Sequence, residues 1–476
     1  MRLFLTVSNV VRQARLPSGK LMDSRQTSIA CAAMKTAFVG IAVIVAACSI
    51  ICSQPAFTQQ FDPRNNPWPE IRKARIEKLL PQAMERAGID AWVIICRENN
   101  NDPLALHVGG ENAGGTAAFL FFLQSGRVKS VAISPVGEAT ALKDIGLHDT
   151  VIVSDRRGNV GQLVAEQLRA VNAQKIGINS SSRAVADGLS YTQRLQLEKA
   201  IGPDLTKRLV SAEELVVEWL SVKLPEEVEI LRKAAVLTEQ LELEAYKTVV
   251  PGKTKDSDVA RYLKNRMREL RVEDAWAPEQ NPNVNSGIDR GHSHATDRVI
   301  RAGDFIQTDF GIKVYGVWCT DIQRFAYVLA PGETKPPAEA LQKWEKARNG
   351  SRIALQAMKP GVRGYDVDKA QRNWMRNVGS LAVMWSTGHP VGYWAHDVGP
   401  SLGGARTQRE PSGNALRILR PGQTFAFDGF FSWQVDHEEG SASKTISVEE
   451  MAVITDEGAE YLIPPQEELI LIPSRE

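Results

Sequence analysis

Five residues in the last third of the chain carry the chemistry of a metal site. Asp309 and Asp321 stand near the two ends of "TDFGIKVYGVWCTDIQR". His389 lies in "STGHPVG", Asp428 closes "PGQTFAFD" and Glu449 opens the acidic pair of "TISVEEMAVIT". Each sits in an apolar or Gly-rich setting. Asp is uncommon in strands, and carboxylates are seldom buried without a partner. Four of them gathered with one imidazole would be unstable as bare anions. Two divalent cations would neutralise them. An oxygen-rich donor set with one imidazole suits Mn2+ and, less selectively, Fe2+, Co2+ or Zn2+.

Such a site needs elements to assemble it. A length of 476 residues allows two domains and a leader. Charged residues make up 24% and apolar residues 43%, ordinary for a globular protein, and a formal net charge of +1 removes any electrostatic case for nucleic acid. From Pro67 onward, "EIRKARIEKLLPQAMERAGI" reads as one helical stretch. The runs "DAWVIICR", "AAFLFFL", "KSVAISP", "DTVIVS" and "KIGINS" read as strands, with the helical "NVGQLVAEQLRAV" before the last. This alternation predicts an α/β domain over residues 66–215.

Pro225 with Glu226 and Glu227 then opens a long helix in "LPEEVEILRKAAVLTEQ". It ends towards Pro251-Gly252, and "KDSDVARYLKNRMREL" follows as a second helix. About 110 residues later the same order recurs: a long helix, Pro360-Gly361, then "YDVDKAQRNWM". The repetition predicts two α+β halves related by a pseudo-twofold axis, with a site between them. Cys96 and Cys319 lie in different predicted domains, so no disulfide framework is implied, and both read as small buried residues. Trp318, Trp385, Trp394 and Trp433 flank the acidic motifs; core packing is the default for them and a pocket wall the sharper alternative.

In the order Asp, Asp, His, Asp or Glu, Glu, the five ligand candidates resemble the pita-bread metallopeptidase family. That family includes methionine aminopeptidase, prolidase and aminopeptidase P, with creatinase as a metal-free relative. The resemblance runs from Pro225 to Pro465 through "LPEEVEILRKAA", "GDFIQTDFG", "TDIQR", "GHPVGYWAHDVG", "PGQTFAFDG" and "VEEMAVITDEGAEYL". It implies a creatinase-type N-terminal α/β domain followed by a pita-bread catalytic domain over residues 220–470. It also implies that Asp309 binds one metal, that Asp321 and Glu449 bridge two, and that His389 and Asp428 complete the set of ligands at the second metal. His292 in "GHSHATDR" and His396 in "HDVG" match the family's two substrate-side histidines, with His294 competing for the first role. The implied reaction is attack of a hydroxide shared between the cations on an amide carbonyl. The two histidines would hold the oxyanion, and Glu449 or Asp428 would relay the proton.

The implied substrates are short peptides, with proline in second position from the likeness to aminopeptidase P, and the implied assembly is a homodimer. Two departures stand out. Asp428 replaces the family's usual Glu, one methylene longer, and Ser447 stands where the family often has Arg. They keep two alternatives open: a creatinase-like hydrolase of small amides, and a binding protein that has kept the fold.

The first sixty residues read differently. Lys35 precedes the uncharged "TAFVGIAVIVAACSIIC", short for a membrane span and suited to a signal-peptide core. Met34 is an alternative start. The run Val45-Ala46-Ala47-Cys48 resembles a bacterial lipobox, so lipidation at Cys48, cleavage and an uncleaved anchor are all open, as is a buried helix. The expectation is an exported protein, periplasmic or membrane-anchored if bacterial.

Overall fold

The computed structural model describes residues 60–474, apart from 156–157, 290–293, 407–410, 412 and 438–439. The leader with Cys48, and His292, therefore lie outside the described residues. Residues Phe61–Glu476 form one compact unit. Among the described residues no helix is long and apolar enough to cross a membrane.

The chain opens with α1 (Trp68–Lys78) and α2 (Leu80–Ala87). The single helix expected here is two, because Pro81 has no N–H to continue the ladder and the chain restarts with Pro in the first turn of α2. A six-stranded sheet follows, built from β1 (Ala91–Cys96), β2 (Ala117–Gln124), β3 (Arg127–Pro135), β4 (Thr150–Ser154), β5 (Ile176–Ile178) and β6 (Leu209–Ser211), in the order β4-β3-β2-β1-β5-β6. Its central strand β1 is buried on both faces, which is why "AWVIIC" is apolar throughout rather than alternating. Val93 and Ile95 pack under α3 (Val160–Ala170) and α4 (Tyr191–Ile201). Trp92 and Ile94 face the other way, into a core shared with the C-terminal half. Cys96 and Cys319 are both buried free thiols.

After α5 (Glu213–Ser221) come α6 (Pro225–Lys247) and α7 (Asp256–Leu270), then β7 (Asn283–Ser286), β8 (Phe305–Phe310) and β9 (Ile322–Val328). The second half repeats this with α8 (Ala338–Ala357), α9 (Gly364–Asn377), β10 (Gly388–Pro390), β11 (Thr424–His437) and β12 (Gly440–Ile454). The strands form one sheet in the order β10-β11-β12-β9-β8-β7. The internal repeat extends to single hydrogen bonds. Gly252 N–H donates to Ile300 O and Gly361 N–H to Leu419 O, Asp256 N–H to Arg298 O and Gly364 N–H to Arg417 O. Both Pro-Gly glycines sit at positive φ, 77° and 82°, where a side chain would be strained. The stretch 308–324 folds back at Tyr315 and Gly316, both at positive φ, with Val317 N–H donating to Val314 O across the turn.

Candidate metal centre

Strand pairing brings the chemistry together. Asn283 on β7 pairs with Asp309 on β8, Asp309 with Gln323 on β9, Gln323 with Glu449 on β12, and Glu449 with Asp428 on β11. Paired residues project to the same face of a sheet, so this single register makes a row of polar side chains across five strands. All five line one cavity of about 630 Å3. Asp321 enters beside them from just before β9, and His389 from β10. Behind the row, a Cβ on Gly429 would lie 2.2 Å from Ala347 O, so only glycine lets β11 seat against α8 next to Asp428.

Asp309, Asp321, Asp428 and Glu449 are all buried. Carboxylate oxygens of Asp309, Asp321 and Glu449 lie within 4.8 Å of one another, as do ligand atoms of Asp321, His389 and His396. Asp428 lines the same cavity but stands outside both groups. His389 Nδ1 lies 3.2 Å from Pro390 O; a carbonyl only accepts, so Nδ1 carries the proton and Nε2 is left with its lone pair. Nε2 is 3.8 Å from both Asp321 Oδ2 and Glu449 Oε1.

The electrostatics are those of crowded, buried carboxyls. Burial, with the Glu449 and Asp309 charges behind it, pushes the carboxyls of Asp321 and Asp428 well above the usual range. Burial and then the Asp309 charge push Glu449 up to about 8, with a Gln323 hydrogen bond opposing. Arg324, next in sequence to Gln323, is committed elsewhere: its Nε donates to Glu239 at 3.0 Å and its Nη2 pairs with Glu450 at 3.1 Å. Glu449 Oε2 is buried with no hydrogen-bond partner. An orphaned carboxylate oxygen among crowded acids, beside an imidazole lone pair, fits a site for divalent cations.

His396 is exposed, and its ring meets that of His389 edge-on at 4.3 Å. Expected on the substrate side, it also reaches the ligand group of Asp321 and His389. Its loop is pinned by Asp397, whose Oδ2 accepts from Tyr393 N–H at 2.9 Å and from Lys223 Nζ at 3.1 Å. His294 is exposed. Of the four tryptophans, Trp385 and Trp394 line the cavity, whereas Trp318 is fully buried in the core and Trp433 packs on Phe305 and Phe431.

Sequence reasoning missed Trp276, Gln307 and Gln323, all in the cavity wall. For the two glutamines a signal existed: each is two residues from a ligand candidate, Asp309 or Asp321, and so can share its face in extended chain.

Residues 229–456 match metallopeptidase family M24. The chain is 26% identical over 301 residues to a probable dipeptidase PepE of Mycobacterium tuberculosis, covering 61% of this chain and 70% of the relative. In fold it is similar to the X-Pro aminopeptidase of Thermotoga maritima, with a TM-score of 0.62 at 20% identity, over 82% of this chain and 100% of the other. It is also similar to the Xaa-Pro dipeptidase of Bacillus anthracis, with a TM-score of 0.60 at 21% identity, over 85% and 100%. With the acidic row assembled on a twice-repeated α+β fold, residues 229–456 form a domain of metallopeptidase family M24, and the fold is of the pita-bread type.

Proposed function

We propose that the protein is a metal-dependent aminopeptidase that releases the N-terminal residue from short peptides with proline in second position. The observation that carries this reading is the cavity with four buried carboxylates, no lysine or arginine among the described residues that line it, and an orphaned Glu449 oxygen. Asp309, Asp321, His389, Asp428 and Glu449 would hold two divalent cations, with Mn2+ the best-suited ion. Bound there, the cations would supply a water acidic enough to act as a nucleophile near neutral pH.

The chain's own groups do the rest. The carboxylate row would attract a positively charged peptide N-terminus, which favours cleavage of the first bond. Trp276, Trp385, Trp394 and Phe430 give the cavity flat apolar walls that suit a proline ring or an apolar side chain. His396, exposed at the cavity edge, is placed to donate to the scissile carbonyl as charge develops on its oxygen. Glu449, with its free oxygen, is placed to take a proton and return it to the leaving amine.

The test is turnover of Xaa-Pro peptides by chelator-treated protein before and after Mn2+ is restored. Activity that returns with Mn2+ supports the reading. Unaltered activity after chelation would favour the creatinase-like alternative, and bound metal without any peptide turnover would point to another substrate. From the run after Lys35 we also infer export; cell fractionation checks this, and protein found wholly in the cytosol would refute it.

A further inference from the structure

Gln323 occupies the centre of the acidic row, between Asp309 on one side and Glu449 on the other. It is 4% exposed. A buried amide among ionised carboxylates is useful only if its NH2 end, not its carbonyl, faces them. Two contacts set that orientation. Ser447 Oγ donates to Gln323 Oε1 at 2.8 Å, and Gln307 Nε2 donates to the same oxygen at 2.6 Å while also reaching Ser447 Oγ at 3.2 Å. The three side chains close a ring that occupies the carbonyl of Gln323. Its Nε2 then donates to Asp428 Oδ1 at 3.4 Å and, on its other side, to the Glu449 carboxylate. Reversing the amides would turn a carbonyl towards Asp428, so the carboxylate itself selects this arrangement.

The backbone of Asp428 is already fixed. Its N–H donates to Thr387 O at 2.8 Å and its carbonyl accepts from Gln371 Nε2 at 2.7 Å. Only side-chain rotation remains free, and a donor on Oδ1 settles it, leaving Oδ2 for a cation. The hydroxyl of Ser447, at the position where a guanidinium was expected, thus acts on Asp428 through Gln323.

We propose that Gln323, locked by Ser447 and Gln307, is a positioning residue that holds the short Asp428 side chain as a ligand of the second cation. The proposal rests on the two-metal reading above.

Manganese titration of chelator-treated full-length protein, followed by calorimetry and by the electron paramagnetic resonance of the bound ions, tests it. The wild type should take up two ions. In Gln323→Met, similar in size but without a donor, the tighter ion should bind as before and the weaker ion about 10–100-fold less well, with loss of the spin-coupled two-ion signal. Ser447→Ala, which removes one of the two locks, should weaken the same ion by a smaller factor. Adding Asp428→Glu to Gln323→Met should restore the second ion, because the longer side chain reaches without help. Metal-free melting curves that match the wild type establish that the variants fold. Two ions bound by Gln323→Met with wild-type affinity and signal would overturn the proposal alone, as would equal weakening of both ions. A wild type that takes up fewer than two ions would overturn the two-metal reading and the proposal with it.

Discussion

Two groups of buried charge lie in this molecule, and they are built on opposite terms. Between the N-terminal helices and the catalytic half, Arg75 on α1 pairs with Glu227 at 2.6 Å, both side chains fully buried, and Lys223 pairs with Asp397 at 3.1 Å. Every charge there faces its opposite. Trp318 Nε1 and the Tyr393 hydroxyl donate to the second oxygen of Glu227, and Arg75 also donates to Trp219 O. Burial alone would raise the Glu227 carboxyl, yet Arg75, Tyr393, the Leu224 N–H and Lys223 together hold it below its ordinary value. In the cavity row, equal burial meets like charge, and Asp321, Asp428 and Glu449 move the other way. A cluster that balances itself is architecture, here anchoring the loop that carries His396. A cluster that cannot balance itself is completed by something from outside the chain.

Mutation should separate the two most sharply. Asp321→Ala should abolish peptidase activity and lower metal content together while the protein stays folded, as measured by peptide assay, metal analysis and circular dichroism. A folded variant with full metal content would contradict the contrast. In the balanced cluster, Glu227→Ala should cost about 3–5 kcal/mol of stability, because Arg75 would be left as an unpaired buried charge. Denaturant unfolding checks this, and a loss below about 1 kcal/mol would show that the pair contributes little.

The pH response gives the next contrast. Asp321, Asp428 and Glu449 have folded values raised above their unfolded ones, with Glu449 moving from 4.5 to about 8. Such groups stabilise the fold below their unfolded values, and that contribution is lost as pH rises through the folded ones. Metal-free protein should therefore melt at progressively lower temperature from about pH 5 to pH 8. Mn2+ should raise the melting temperature more at pH 8 than at pH 5. An Mn2+ effect that is equal at both pH values would leave the row uncoupled from metal. The smallest expected effect lies at the cavity wall: Trp385→Ala should raise KM for an Xaa-Pro peptide by about tenfold with kcat less affected, by loss of apolar contact. A change confined to kcat would place Trp385 in the chemistry instead.

Much of this was legible in the residues because both clusters obey local rules, but to different extents. The apolar runs of β1 and β2, the Pro-opened α6 and the repeated Pro-Gly punctuation are written in adjacent residues, so the strands, helices and internal repeat could be read directly. The ligand candidates stood out because carboxylates in apolar strands are costly. Arg75 gave no such signal: an arginine in an amphipathic helix is ordinary, and its partner lies 152 residues away. The break between α1 and α2 was carried by Pro81 and overridden by the strong helical pattern around it. Gln323 was hidden for another reason. Uncharged amides cost little when exposed; its place two residues from Asp321 hinted at a shared face, but the register that pairs it with Asp309 and Glu449 shows what it faces.

Diffraction from crystals grown with Mn2+, recorded at the manganese absorption edge, tests the central contrast most directly. Two anomalous peaks should lie in the cavity among Asp309, Asp321, His389, Asp428 and Glu449, with none near Arg75 and Glu227. A cavity without anomalous density at saturating Mn2+ would contradict the account, since the buried acids would then have to be held together by something other than bound metal.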